Sequence, residues 1–321
     1  MSTLVHRPNN FSLSIVVPAY NESSNLIQFV EALKLALIAI TPRYEILIIN
    51  DGSKDNTHEI ADELANHPGV RYLEFSRNFG KEAALSCGID YARGDAVLLI
   101  DADFQHPLSK LEEMSQLWLS GYDMVYGVIV DRHNEALLKR MGTRFFYSLM
   151  SAGADVPIPE NAGDFRWLDK KVVEAIRALP ERNRFMKGLY AWVGFKSIAM
   201  PFVPADRLSG TSSFRLSNLI KLALSGLTSF STLPLRIWTF VGVFISLIAI
   251  TYGIYVVFDT LINGNPTSGW PTITVALMLF SGVQLLSIGI LGEYIGRIFT
   301  EVKQRPLYLI SKDHDNSQLD R

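Results

Sequence analysis

Short apolar runs alternate with longer amphipathic stretches through the first 130 residues. LSIVVPAY (13–20), YEILIIN (44–50), VRYLEF (70–75), AVLLI (96–100) and DMVYGVIV (123–130) read as strands. Between them, 22–40, 55–67, 81–92 and 108–119 carry apolar residues at helical spacing. Apolar strands that alternate with helices predict an α/β fold: a mostly parallel sheet, Rossmann-like, covered on both faces. In such sheets the ligand sits beyond the carboxyl ends of the strands. Here four of those ends are polar: PAYNE (18–22), NDGSKDNT (50–57), SRNFGKEAA (76–84) and DADFQHP (101–107). Four polar ends on one rim define a cleft.

The pattern changes in the last third of the chain. No charged residue occurs from 237 to 258, and 271–292 repeats this. About 20 apolar residues span a bilayer, and neither run has a polar stripe. Two transmembrane helices are predicted, at about 236–258 and 271–296, with Trp238, Tyr252, Tyr255 and Trp270 as interfacial anchors. Arg236 precedes the first run, Arg297, Lys303 and Arg305 follow the second, and the loop 259–270 holds no Lys or Arg. The positive-inside rule then puts both termini in the cytoplasm of a multi-pass plasma-membrane protein. The N-terminal MSTLVHRPNN carries no apolar signal segment, which agrees. Apolar residues at helical spacing over 215–229 suggest a helix lying along the membrane surface. The predicted organisation is a soluble domain (1–213), an interfacial helix (214–232), two spans (233–298) and a C-terminal tail (299–321).

Composition adds three limits. A net charge of -2 excludes a broad basic face for nucleic acid. The 48% apolar content over 321 residues matches the two spans. The lone Cys87 excludes an internal disulfide and fits a reducing compartment.

Asp101 and Asp103 leave a buried strand two residues apart. Acids at that spacing can converge on one hard cation, Mg2+ or Mn2+, which offsets their repulsion and takes its remaining ligands from water and phosphate. The plainer alternative is two solvated acids at a turn, but three other polar clusters on the same rim weigh against it. Asp51 can accept hydrogen bonds from a nucleobase edge, or serve a turn whose Asp55 caps the next helix. Pro18 is expected to end its strand, and Asn21 or Glu22 to start a helix. Arg77, Gly80 and Lys81 stand at a helix start that suits phosphate.

Taken in order, PAYNE, NDGSKDNT, SRNFGKEAA, DADFQHP, GDFRWLDKK (163–171) and RLSGTSSF (207–214), followed by two apolar spans, resemble the polyprenyl-phosphate glycosyltransferases of glycosyltransferase family 2. These include bactoprenol glucosyltransferases and dolichol-phosphate mannose synthases. The resemblance runs from Leu13 to about Pro306. It implies a GT-A fold, a nucleotide-sugar donor, a divalent metal and inversion at the sugar carbon. It also implies a polyprenyl (undecaprenyl) phosphate acceptor and a homotetramer, with UDP-glucose the favoured donor. By position, Asp101 and Asp103 match the metal acids. Pro18, Tyr20, Glu22, Asp51, Lys81, Ala102 and Gln105 fall at nucleotide-sugar positions. Asp164 matches the acid proposed as catalytic base, with Asp103 and Arg207 as its partners in catalysis. Arg132, Arg166, Arg207 and Ser212 fall where the lipid phosphate is bound, Gly210 lying in the same closing loop; Arg182 and Arg184 are further available cations.

The chain departs from the family pattern at four places. Asn50 stands where an acid usually precedes Asp51, and Ser213 where a lysine commonly follows the serine of the closing loop. Ile129 replaces a frequent arginine, and His106 occupies the place of an acid. These changes bear on the phosphate clamp and donor preference and leave the metal acids intact. A lipid monophosphate with a second pKa near 6 is already largely ionised at neutral pH, so proton removal by Asp164 offers little. Asp164 is read either as a base or as a group that positions Arg166 or a sugar hydroxyl. A processive polysaccharide synthase would show more spans and a Q-x-x-R-W motif, and neither is present. A non-catalytic nucleotide-sugar binder would have no need of the D-x-D pair. A dolichol-phosphate-mannose-synthase-like enzyme using GDP-mannose stays open, because uracil and guanine both offer an N–H to a carboxylate.

Overall fold

A computed structural model of the chain describes residues 7–8, 10–130, 162–182, 184–205 and 269–320, with scattered positions between 242 and 262. Among the described residues eight strands form one sheet: β1 (Leu13–Ala19), β2 (Tyr44–Asn50), β3 (Val70–Phe75), β4 (Ala96–Leu99), β5 (Met124–Ile129), β6 (Ala162–Asp169), β7 (Ser197–Phe202) and β8 (Ile310–Asn316). Their order is β7-β5-β6-β4-β1-β2-β3-β8. β3, β2, β1 and β4 run parallel, while β6 and β8 are antiparallel to their neighbours. The chain moves outward from β1 through β2 to β3, then returns to place β4 on the other side of β1. That reversal opens a crevice at the carboxyl ends of β1 and β4, the usual ligand position in open α/β sheets.

The central strands are apolar throughout because both faces are covered. Ile15, Val17, Ile46, Ile48 and Leu98 pack with α1 (Leu26–Leu37), α2 (Thr57–Leu64) and α4 (Leu111–Leu119). The residues between them, Val16, Leu47, Ile49, Val97 and Leu99, pack on the opposite face. There they meet α3 (Lys81–Tyr91), α5 (Lys170–Arg177) and α6 (Met186–Trp192). Each side chain so enclosed contributes roughly 1.5–3 kcal/mol. Helix α3 lies unusually close to β1: a Cβ at Gly88 would stand 2.0 Å from Val16 Cγ1.

The antiparallel β4–β6 pair has the largest consequence for function. Its register sets Leu99 opposite Arg166. Extended two residues past the end of β4, the same register brings Asp101 opposite Asp164.

Helix α7 (Trp270–Lys303) has 34 residues and so a length of about 51 Å. Among the described residues it is the one helix long and apolar enough to cross a membrane, over Leu279–Lys303. Its start carries a proline in the first turn, and it stops at Gln304 in the left-handed conformation. The first predicted span and the interfacial helix lie largely or wholly outside the described residues.

The strands and helices read from the pattern up to residue 130 recur within a few residues at each end. Three differences matter. Pro18 lies inside β1, paired in register with Ile49, rather than ending it. Helix α1 starts at Leu26, not at residue 22. The segment read as a tail contains β8, which pairs antiparallel with β3 and covers the outer edge of the sheet.

Candidate active site

Two rim loops are knitted together. Asn21 N donates to Ser53 Oγ at 3.0 Å, Lys54 N to Asn21 Oδ1 at 2.8 Å, and Glu22 N to Thr57 Oγ1 at 2.9 Å. Asn21 holds φ 57, an uncommon conformation for a non-glycine residue. Asp51, only 4% exposed, accepts from Phe79 N at 2.6 Å and Gly80 N at 2.9 Å. Each carboxylate oxygen is thus committed to the SRNFGK loop, with remaining lone pairs for a ligand. Burial raises the Asp51 pKa above its ordinary value, against the pull of those two amides. Gly52 makes this contact feasible: at φ +61, a Cβ would stand 2.4 Å from the Arg77 carbonyl carbon. Asn50, where an acid is usual, is engaged through both ends of its amide. Its Nδ2 donates to Tyr72 Oη at 3.1 Å and its Oδ1 accepts from Ser53 N at 3.0 Å.

Lys81 is the hub. Its ammonium lies 2.8 Å from Asp101 Oδ2 and 2.9 Å from Asp164 Oδ2. Three elements meet at that nitrogen: the start of α3, the end of β4, and β6 in the register described above. Burial pulls the Lys81 pKa down, but Asp164 and then Asp101 more than offset this and hold it above its ordinary value. Burial likewise would raise the Asp164 carboxyl, yet the Lys81 and Lys187 ammoniums outweigh it and keep the group below the usual range. Asp164 is therefore ionised at neutral pH. Its Oδ1 is buried with no hydrogen-bond partner among the described residues.

The Asp101–Asp103 loop is held from below. Asp103 Oδ1 accepts from Gln105 N at 3.1 Å, and Phe104, at φ 59, sets its ring edge-on to Phe29 at 5.3 Å. His106 stacks on Phe165 with centroids 4.8 Å apart, its Nδ1 3.4 Å from Asp101 N. Burial lowers the imidazole pKa, leaving it neutral, so it supports the loop without adding charge. Ala102 is buried, and Gln105 O accepts from Ala205 N at 3.3 Å. That bond anchors the chain two residues before Arg207.

Two hard carboxylates at this spacing suit a divalent cation. Among the described residues no cluster of three or more His, Cys, Asp or Glu could hold a metal alone. The set thus fits a cation that completes its shell with substrate phosphate oxygens and water. Were Asp101 to hold such a cation, Asp164 would still pair with Lys81.

The structure brings together Lys81, Asp101 and Asp164, ties Asp51 to the loop before Lys81 and Asp103 to Gln105 N, and sets Tyr20 and Glu22 on the neighbouring loop with Pro18 in β1 just before it; Tyr20 is exposed. Arg132, Arg207, Gly210 and Ser212 lie outside the described residues. Arg166 lies away from solvent. Expected at a lipid phosphate, its side chain is only 2% exposed, with its guanidinium over the rings of Tyr190 at 4.3 Å and Tyr126 at 5.2 Å. Its Nε donates to Gly163 O, which makes it a support for the β6 strand beside Asp164. Arg184 is likewise structural, donating to the carbonyls of Leu179, Glu181 and Ile176. Sequence reasoning missed Glu82, Lys187 and Tyr190, which face Asp164 from α3 and α6. The only sign of Glu82 in the sequence was its place next to Lys81.

Comparison with known proteins agrees with this geometry. Residues 14–177, just over half of the chain, match glycosyl transferase family 2, and residues 233–298 match the GtrB C-terminal hairpin. The SfII prophage-derived bactoprenol glucosyl transferase of Shigella flexneri is 46% identical over 94% of this chain and 98% of its own length. An uncharacterized glycosyltransferase of Synechocystis is 44% identical over 93% of this chain and 94% of its own. A mannosyltransferase of Pyrobaculum calidifontis, solved with GDP-Man and Mn2+, is 14% identical, covering 94% of this chain and 90% of its own, at TM-score 0.49. A parallel sheet with its acids at the β1/β4 crevice, and a match that runs from β1 to the end of α5, lead to one assignment: the chain belongs to glycosyl transferase family 2 and has its GT-A fold.

Proposed function

We propose that the protein transfers glucose from UDP-glucose to a polyprenyl phosphate, with inversion, at the cytoplasmic face of the membrane. The observation that carries this reading is the meeting of Asp101 and Asp164 at the Lys81 ammonium, in a chain that continues into an apolar helix of about 51 Å. The bactoprenol glucosyl transferases matched over nearly their full length support the choice of sugar and lipid class. The Lys and Arg residues that flank the apolar runs, and are absent from the loop between them, support cytoplasmic termini and two spans. A homotetramer is part of the same proposal.

Asp101 and Asp103 would hold the divalent cation, Mg2+ or Mn2+. When bound, it supplies positive charge to the departing diphosphate. Asp51 fixes the loop that carries Lys81 and leaves lone pairs for the uracil N–H. Lys81 presents a permanent ammonium at the diphosphate position, where preorganised charge counts most. Asp164 acts by holding Lys81. A carboxylate kept below its ordinary pKa is a poor proton acceptor, and the acceptor phosphate is already ionised. The apolar helices keep the cleft beside an acceptor that cannot leave the bilayer, so alignment of phosphate and sugar carbon becomes nearly unimolecular.

The test is a donor panel on the purified full chain with undecaprenyl phosphate and Mg2+ or Mn2+. Lipid-linked label from UDP-glucose and not from GDP-mannose is expected. Label from GDP-mannose alone would replace the donor, and no label from any donor would leave a binder.

A further inference from the structure

Helix α6 approaches the site through a short segment held at both ends by carboxylates. At one end, both oxygens of Glu301, in the last turn of α7, accept from Arg182 N at 3.0 Å. At the other, Glu82 Oε2 accepts from Met186 N, the first residue of α6, at 3.0 Å. Ser86, one turn along α3, adds a contact to Met186 Sδ at 3.7 Å. Between these ends Arg184 folds back on the carbonyls that close α5. Glu82 follows Lys81 directly, in the first turn of α3, where a carboxylate also complements the helix dipole.

We propose that Glu82 is a positioning residue for sugar transfer: by tying the start of α6 to the first turn of α3, it fixes the direction in which Lys81 reaches Asp101 and Asp164. The assignment rests on the reading of those three residues as the transfer site. The groups that face Glu82 are Asp164 on β6, Lys81 on its own helix, and Lys187 and Tyr190 on α6. Tyr190 Oη is buried with no partner among the described residues, so it makes no second tie between α6 and α3. Asp164 and Glu82 are both acids, and their repulsion is relieved when Glu82 takes up a proton. Burial, and then the Asp164 charge, push the Glu82 pKa up to about 7, against the Met186 amide and the two lysines. A raised carboxyl pKa means that the folded protein holds a proton the unfolded chain releases. The stability this gives is full below the ordinary value of 4.5 and fades as pH rises toward about 7.

Two substitutions in the full-length protein separate the possibilities. Glu82→Gln keeps an acceptor for Met186 N and removes the charge; Glu82→Ala removes the tie. In the Ala variant kcat should fall about tenfold or more with the donor KM nearly unchanged, because positioning and not binding is lost. In the Gln variant kcat should stay within about twofold of the parent near pH 6, and the decline of the thermal midpoint between pH 5 and 8 should flatten. An Ala variant as active as the parent overturns the proposal, as do equal losses in both variants or an unchanged thermal profile in the Gln variant. If the parent transfers no glucose, the functional reading fails by itself. The thermal profiles then decide the tie: a flattened slope in Gln with a lower midpoint in Ala upholds it, and any other pattern overturns it.

Discussion

Strands β4 and β8 sit in the same sheet and are built on opposite principles. AVLL of β4 is completely buried and uncharged, held by cores on both faces. ISKDHDN of β8 carries four charged or titratable side chains in a row and little apolar surface. Their partners alternate with the pleat. Lys312 and His314 reach Asp62 on α2 at 2.8 and 2.9 Å, while Asp313 and Asp315 reach Arg71 on β3 at 2.7 and 3.6 Å, and Asp315 also pairs with Arg93. A strand whose faces are hidden takes its register from burial, and a strand on the edge takes it from charge. The first kind holds the acids of the site at fixed positions. The second fastens the end of the long apolar helix α7 to the catalytic sheet and responds to salt and acid.

The largest effect separating the two is expected at the end of β4. Asp103→Asn should lower transfer by about 100-fold or more by weakening the cation site, and leave folding and membrane attachment intact. Transfer near the parental rate would remove the metal role. Next comes Gly52→Ala, which stresses the loop over β2. The positive φ alone costs about 1–3 kcal/mol, and the clash with Arg77 should move Lys81, so stability in a denaturant titration and transfer should fall together. A variant with parental stability would show that the loop can retreat freely. The smallest effect belongs to β8. Asp313→Asn should cost about 1–2 kcal/mol and speed protease cleavage near residues 304–309, more so at low salt, where the charge it removes is least screened. Acid should loosen the same strand. Burial would raise the Asp315 pKa, but the Arg93 bond and the Arg71 charge hold it below its usual value. The stability it gives is present above about pH 4 and lost as pH falls through the depressed value. Pepsin cleavage of β8 that rises from pH 4 to pH 2.5 ahead of any loss of the core strands would confirm it, and simultaneous loss would refute it.

How far each part could be read from the sequence follows the same division. The parallel block was legible because apolar runs of Val, Ile and Leu broken by polar rims admit few other arrangements. The rim position of the acids was legible because the D-x-D pair follows a buried strand and shares its rim with three other polar clusters. β6 was read only as a motif: Phe165, Arg166, Trp167 and Leu168 are all buried, so the strand neither alternates nor looks apolar. The pairing of Asp164 with Asp101 depends on the antiparallel register, which spacing alone does not give. β8 lacks any hydrophobic signal, and its run of polar side chains becomes readable only once Asp62, Arg71 and Arg93 are seen beside it. The setting of Arg166 was not legible because Tyr126 and Tyr190, whose rings it covers, lie far away in sequence.

The pairing of β3 with β8 also carries a consequence for biosynthesis. Arg71 and Asp313 are 242 residues apart, so at roughly 5–20 residues per second the ribosome needs on the order of ten seconds or more to deliver the second after the first. Throughout that interval the nascent sheet has one bare flank, open to any passing extended peptide, and it closes only after the apolar helix has emerged.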